Sequence, residues 1–81
     1  MFITHFHTME LQKIDIMLMV LLYNKNFSPS AKEISTELSL DKAIIYNSIK
    51  TLSKYDLILD SNERPKKYTI NQNKFKKWIK N

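Results

Sequence analysis

The chain has 81 residues with 13 Lys+Arg, 8 Asp+Glu, no Cys and no Gly, and a formal net charge of +5. It is one domain at most, near the size at which folding buries about 60% of the unfolded surface. Without glycine neither a phosphate-cradling P-loop nor a dinucleotide-binding turn can form. Without cysteine there are no disulfides, zinc ribbons or thiol nucleophiles. Hydrophobic content of 43% and charged content of 26% are those of a folded globular chain. Binding is the expected work, not catalysis.

In chain order, residues 1–8 read as an N-terminal extension in which Phe2 to His7 look extended. His5 and His7 alternate there without a third ligand, so no metal and no cofactor is expected. Thr8 is suited to cap a helix from about Met9 to Asn24, with Glu10 in its first turn. Its longest apolar run, Ile16 to Tyr23, is far short of the ~20 residues of a membrane span. The N-terminus carries no basic, small-residue signal pattern either, and a cytoplasmic protein is the expectation. Leu11, Ile14, Leu18, Leu21 and Leu22 form one stripe on this helix. Ile16, Met19, Val20 and Tyr23 form a second. One stripe suffices for so small a core. The second points to a homodimer, or to cover by the chain's own terminal segments.

Ser30-Ala31-Lys32-Glu33 has the form of a capping box and opens a short helix to about Ser39. Asp41 then caps a third helix to about Tyr55. Ile45, Ser48, Ile49 and Leu52 share its inner face. Ala43, Tyr46, Asn47, Lys50 and Lys54 fall on the opposite one, which holds no acidic residue. A solvated helix face ordinarily interleaves Glu with Lys. Lysines, an amide and a phenol are the groups that reach into a DNA major groove. Leu57-Ile58-Leu59 and Lys67-Tyr68-Thr69-Ile70 read as two strands. Asp60 and Glu63, in the polar stretch between them, read as solvated carboxylates, and no catalytic residue emerges. Asn71 or Asn73 begins a last helix, residues 72–81 forming a basic amphipathic segment with Phe75, Trp78 and Ile79 on one face. That face suits packing on the first helix or on a second subunit better than a membrane surface, for which it is short.

Charge is divided along the chain. Residues 1–41 have a net charge of −2 and residues 42–81 one of +7, with seven basic and no acidic residues from Arg64 onward. A polyanionic partner fits this division, as does a plain solvated face.

Ser30-Ala31-Lys32-Glu33-Ile34, Leu38-Ser39-Leu40-Asp41, Ile45-Tyr46, Ile49, Leu52 and Asp56-Leu57-Ile58, followed by Arg64-Pro65-Lys66-Lys67-Tyr68, resemble the winged helix-turn-helix of MarR, ArsR and PadR type transcription regulators. The likeness spans about residues 10–70. It implies an α+β, mainly α fold of three helices, a two-stranded wing and a short C-terminal helix, with residues 9–71 as the DNA-binding domain. Residues 30–38 resemble the first helix of the motif, 41–55 the recognition helix and 57–70 the wing. The resemblance implies a sequence-specific regulator of transcription that binds double-stranded DNA. Lys42, Ala43, Ile44, Tyr46, Asn47, Lys50, Lys54, Arg64, Lys66 and Lys67 would touch DNA. Ile16, Met19, Val20, Tyr23, Phe75, Trp78 and Ile79 would form the dimer interface. The alternative is a winged-helix module or small inhibitor that binds a protein. Where those families usually place glycine, this chain has Ser39 and Asp56, which predicts left-handed backbone on residues with a Cβ.

Overall fold

The computed structural model describes residues 10–80. Over that span the fold is mainly helical with one small sheet: α1 (Lys13–Tyr23), α2 (Ala31–Leu38), α3 (Lys42–Lys54), β1 (Ile58–Asp60), β2 (Tyr68–Ile70) and α4 (Gln72–Lys80). The expected extended segment, the histidine pair and the Thr8 cap lie outside the described residues.

Helix α1 begins later than its composition suggests. Gln12 is its N-cap, and the Asp15 carboxylate accepts from the Gln12 backbone N–H at 2.8 Å, so Glu10 precedes the helix and is exposed. The side chain of Asn24 closes the far end by donating to the Val20 carbonyl at 3.0 Å. The buried stripe is Asp15, Leu18, Met19 and Leu22. Met19 is therefore a core residue, with none of its surface exposed, and offers nothing to a second copy. The physical reason is Asp15: its other oxygen accepts from the Ser48 hydroxyl on α3 at 2.6 Å, both residues being buried, and this bond turns Met19 inward with Leu18 and Leu22. Ile16, Val20 and Tyr23 face out, each between 38% and 48% exposed.

Helix α2 opens on the expected box. The Ser30 Oγ accepts from the Glu33 N–H at 3.2 Å, and Glu33 Oε1 accepts from the Ser30 N–H at 2.8 Å. That backbone bond holds the Glu33 carboxyl below its ordinary pKa, aided by the nearby Lys67 and Lys25 charges. Both α2 and α3 end on left-handed residues, Ser39 at φ 56° and Asp56 at φ 59°. In each case the next amide reaches back five residues: Leu40 N–H to the Ser35 carbonyl (3.1 Å) and Leu57 N–H to the Leu52 carbonyl (2.9 Å). These bonds satisfy carbonyls that a helix end otherwise leaves open, and turn the chain sharply into the next element.

The two strands are antiparallel, with Ile58 opposite Ile70, Leu59 opposite Thr69 and Asp60 opposite Tyr68. The first strand starts one residue later than its composition suggests, Leu57 being fully buried between the α3 turn and the sheet. Just before β2, Lys67 bridges Ser30, and the Tyr68 N–H donates to the Pro29 carbonyl at 2.9 Å. The hairpin is thereby fastened to the start of α2. Asn71 begins α4: its Oδ1 accepts from the Lys74 N–H at 3.4 Å and its Nδ2 donates to the Asp56 carbonyl at 2.9 Å.

Leu18, Met19, Ile34, Ile45, Leu52 and Leu57 form the centre of the core, each worth roughly 1.5–3 kcal/mol on burial. Helix α4 joins it through Phe75, which is buried with its ring 4.8 Å from Tyr23 and 6.0 Å from a half-buried Trp78. Phe75 is thus committed within the chain, because the amphipathic phase of α4 turns it onto α1, and it is not an interface residue. Ile79 lies outside at 57% exposure.

Asp56 is exposed, and only its backbone carbonyl is engaged by Asn71. Asp56→Gly therefore removes a left-handed penalty without removing a side-chain bond. The expected net gain is up to about 1 kcal/mol, a rise of ~4–8 °C in melting temperature by calorimetry.

Candidate nucleic-acid interface

Helix α3 presents Lys42, Ala43, Ile44, Tyr46, Asn47, Lys50 and Lys54 to solvent, all exposed. Burial of Ile45, Ser48, Ile49 and Leu52 on the opposite side fixes this outward set. No acidic residue lies in the first turn of α3. The exposed residues do not all serve one place. Lys42 and Tyr46, at the N-terminal end, form one wall of a groove of about 840 Å³. Its other walls are the β1–β2 loop, with Asn62, Glu63, Arg64, Pro65 and Lys66, and the start of α2, with Ser30, Ala31 and Lys32. Tyr68 closes it from the sheet.

Asn47 and Ile44 instead line a smaller depression of about 350 Å³ against the N-terminal end of α1, with Glu10, Gln12, Ile14, Asp15, Ser48 and Thr51. Lys50 and Lys54 continue along the exposed face towards the C-terminal end, where the Lys54 ammonium sits 5.5 Å from the Tyr55 ring centroid. From Lys42 to Lys54 this face is about 18 Å long at 1.5 Å per residue.

The loop of the hairpin is held by Ser61. Its Oγ accepts from the Lys67 N–H at 3.0 Å and the Glu63 N–H at 3.3 Å, while its own N–H donates to the Lys67 carbonyl at 2.9 Å. Arg64 and Lys66 are exposed on this loop, and the Arg64–Pro65 peptide is cis. Lys66 lies 3.4 Å from Asp60, an exposed pair of small energetic worth. Lys67 is half-buried and does not line the groove. Its charge lies near Glu33, and its backbone is engaged by Ser30 and Ser61.

Burial pushes the Tyr68 phenol up from its ordinary pKa, with Tyr46 and Asp60 adding to the effect, so it carries its proton at neutral pH. Lys32 and Tyr68 were not expected at this site. Each lies in a local pattern, Lys32 in the capping box and Tyr68 in the wing-like stretch, but neither pattern says that the two share a groove; the bridge from Lys67 to Ser30 brings them in, and that contact is tertiary.

Among the described residues no group of three or more His, Cys, Asp or Glu could hold a metal, and no helix is long and apolar enough to cross a membrane. No protein-family model matches the chain, and no curated protein matches it.

The position of Arg64 and Lys66 depends on the Ser61 hydroxyl. Ser61→Ala removes acceptors worth about 1 kcal/mol, so the Lys67 amide should exchange about fivefold faster by NMR hydrogen exchange. Amides at the centre of α3 should keep their rates.

Proposed function

We propose that the chain is a winged helix-turn-helix regulator of transcription that binds double-stranded DNA sequence-specifically. In this reading α3 enters the major groove and the β1–β2 loop rests on the adjacent minor groove. The observation that carries it is the groove in which Lys42 and Tyr46 of α3 face Arg64 and Lys66 of the loop. Two basic elements on either side of one concavity suit a ridged polyanion, with phosphates for both elements to contact, better than they suit a flat partner. The exposed lysines supply sequence-independent phosphate attraction, and Asn47 and Tyr46 read base edges.

The choice of side chains fixes the expected site. The single arginine, Arg64, is on the loop and not on α3, so α3 has no bidentate guanine reader. Asn47 suits adenine N6 and N7, and Ala43 or Ile44 suits a thymine methyl. Arg64 suits a narrow A·T minor groove. Selection from randomised duplexes should return an A·T-rich site, with affinity falling steeply as salt rises. Asn47→Ala should relax the preference at one base pair at a cost of ~1–3 kcal/mol. Lys50→Ala and Lys66→Ala should weaken all sequences evenly and each make the salt slope shallower by about one. G·C-dominated half-sites would overturn the assignment of Asn47. Failure to select any duplex, with salt-insensitive capture of a protein instead, would favour a protein-interaction module.

The chain is proposed to act as a homodimer through the exposed faces of α1 and α4, with Ile16, Val20, Tyr23 and Ile79 at the contact and Trp78 at its edge. A two-fold dimer reads a pseudo-palindrome with half-sites about one helical turn apart. Val20→Glu should give a folded monomer by light scattering and circular dichroism. Met19→Glu should unfold the chain, because it places a charge in the core.

A further inference from the structure

At the floor of the groove the Tyr68 side chain is buried, at 5% exposure, yet its hydroxyl has no hydrogen-bond partner among the described residues. No buried side-chain oxygen or nitrogen among those residues is sealed off without a partner, so this hydroxyl reaches the open groove. A buried ring with an unmatched donor at the base of a concavity is a different feature from a basic face. Burial holds the ring in place, and the hydroxyl is oriented in advance for an acceptor in the groove. Around it stand Lys32, Lys42, Arg64 and Lys66, with Tyr46 beside them, Glu63 as the one lining carboxylate, and the charge of Asp60, the cross-strand partner of Tyr68, close enough to act on the same phenol. Lys42, in the first turn of α3, and Arg64, on the loop, approach from opposite walls and have no ion-pair partner among the described residues.

We infer that this groove seats a phosphate group, with the Tyr68 hydroxyl donating to one oxygen while Lys42 and Arg64 balance its charge from either side. A phosphate offers several acceptor oxygens, which suits a phenol donor placed between two cations; a carboxylate is planar and less able to meet all three. The seat takes either a phosphate of a duplex backbone or a free phosphate-bearing anion. In the first case it rests on the DNA reading and deepens it, fixing the register of α3 through one backbone contact. In the second it stands without that reading, and a soluble anion competes for the groove.

The test uses the full chain, inorganic pyrophosphate followed by the amide signals of Lys42 and Tyr68 in NMR, and a fluorescently labelled A·T-rich duplex followed by anisotropy. Tyr68→Phe keeps the ring and removes only the donor, and its melting temperature is measured alongside. A loss of about tenfold in affinity for either probe supports the seat, the usual effect of removing a hydrogen bond to a charged group. If pyrophosphate alone is affected, the anion is free; if the duplex alone is affected, the phosphate belongs to the backbone. Lys42→Gln, at an exposed position that leaves the core intact, should weaken the same probe severalfold. Lys74→Gln on α4 should not change it. Undiminished binding of both probes by folded Tyr68→Phe would overturn the seat while leaving duplex binding as measured. Should Tyr68→Phe melt early, unchanged affinity of Lys42→Gln for both probes would overturn it equally. Pyrophosphate that shifts neither amide, with a duplex affinity indifferent to Tyr68, would do the same.

Discussion

The hydrogen bond from Ser48 to Asp15 joins two buried side chains 33 residues apart, and the orientation of the helices turns on it. Asp15 has its second oxygen on the Gln12 amide, so a single carboxylate both starts α1 and sets its rotation against α3. Hydrogen bonds to a charged group are worth roughly 1.5–3 kcal/mol, and leaving such a group buried without partners costs more than making the bond gains. Rotating α1 by one residue would incur that penalty. The bond also orients α3. With Ser48 held inward beside Ile45, Ile49 and Leu52, the residues on the far side of the same turns, Ala43, Tyr46, Asn47 and Lys50, are left exposed, Tyr46 beside the groove and Asn47 beside the start of α1.

Two corners set the direction in which the chain leaves α2 and α3. Ser39 and Asp56 each adopt a left-handed backbone that a Cβ makes costly by about 1–2 kcal/mol. Each is offset by the bond of the next amide to a carbonyl five residues back, and Asp56 also by Asn71 on its carbonyl. Through Asn71 the second corner ties the end of α3 to the start of α4. The hairpin runs back beside the start of α2, where the Pro29 carbonyl accepts from the Tyr68 N–H and Ser30 pairs with Lys67. The groove is the outcome of that closure: three segments remote in sequence meet because one hairpin is bonded at both its base and its side.

These contacts explain which features were legible in the sequence. The Ser30–Glu33 box, the two faces of α3 and the antiparallel strand pair are written in local spacing, and each lies within two residues of its expected place. Helix α1 is apolar on nearly all sides from Ile14 to Tyr23, so periodicity alone does not choose between Met19 and its neighbours. The deciding residue is the polar one, Asp15, and its partner is on another helix. Phe75 follows the same logic, since a short amphipathic helix does not say whether its apolar face meets its own chain or another. At the candidate site the exposed residues of α3 were legible, whereas Lys32, Tyr68 and the inward displacement of Lys67 depend on the Ser30–Lys67 bridge. Local pattern encodes faces; it does not encode which faces meet.

The distribution of charge arises from the same contacts. Asp15 is tied to Ser48, Glu33 to the Ser30 amide, Glu37 to Lys25 at 2.6 Å and Asp60 to Lys66. Half of the eight acidic residues thus have structural partners, while Lys42, Lys50 and Arg64 have no ion-pair partner among the described residues. A field of this kind is directional. Surface charges act over about 8 Å at physiological ionic strength, so an approaching polyanion is drawn by the nearest unbalanced cations and not by the net charge. Those cations are arranged across a concavity and along one helix face. The corners at Ser39 and Asp56 and the bridge at Ser30 together set these cations on two separate elements with a cleft between them.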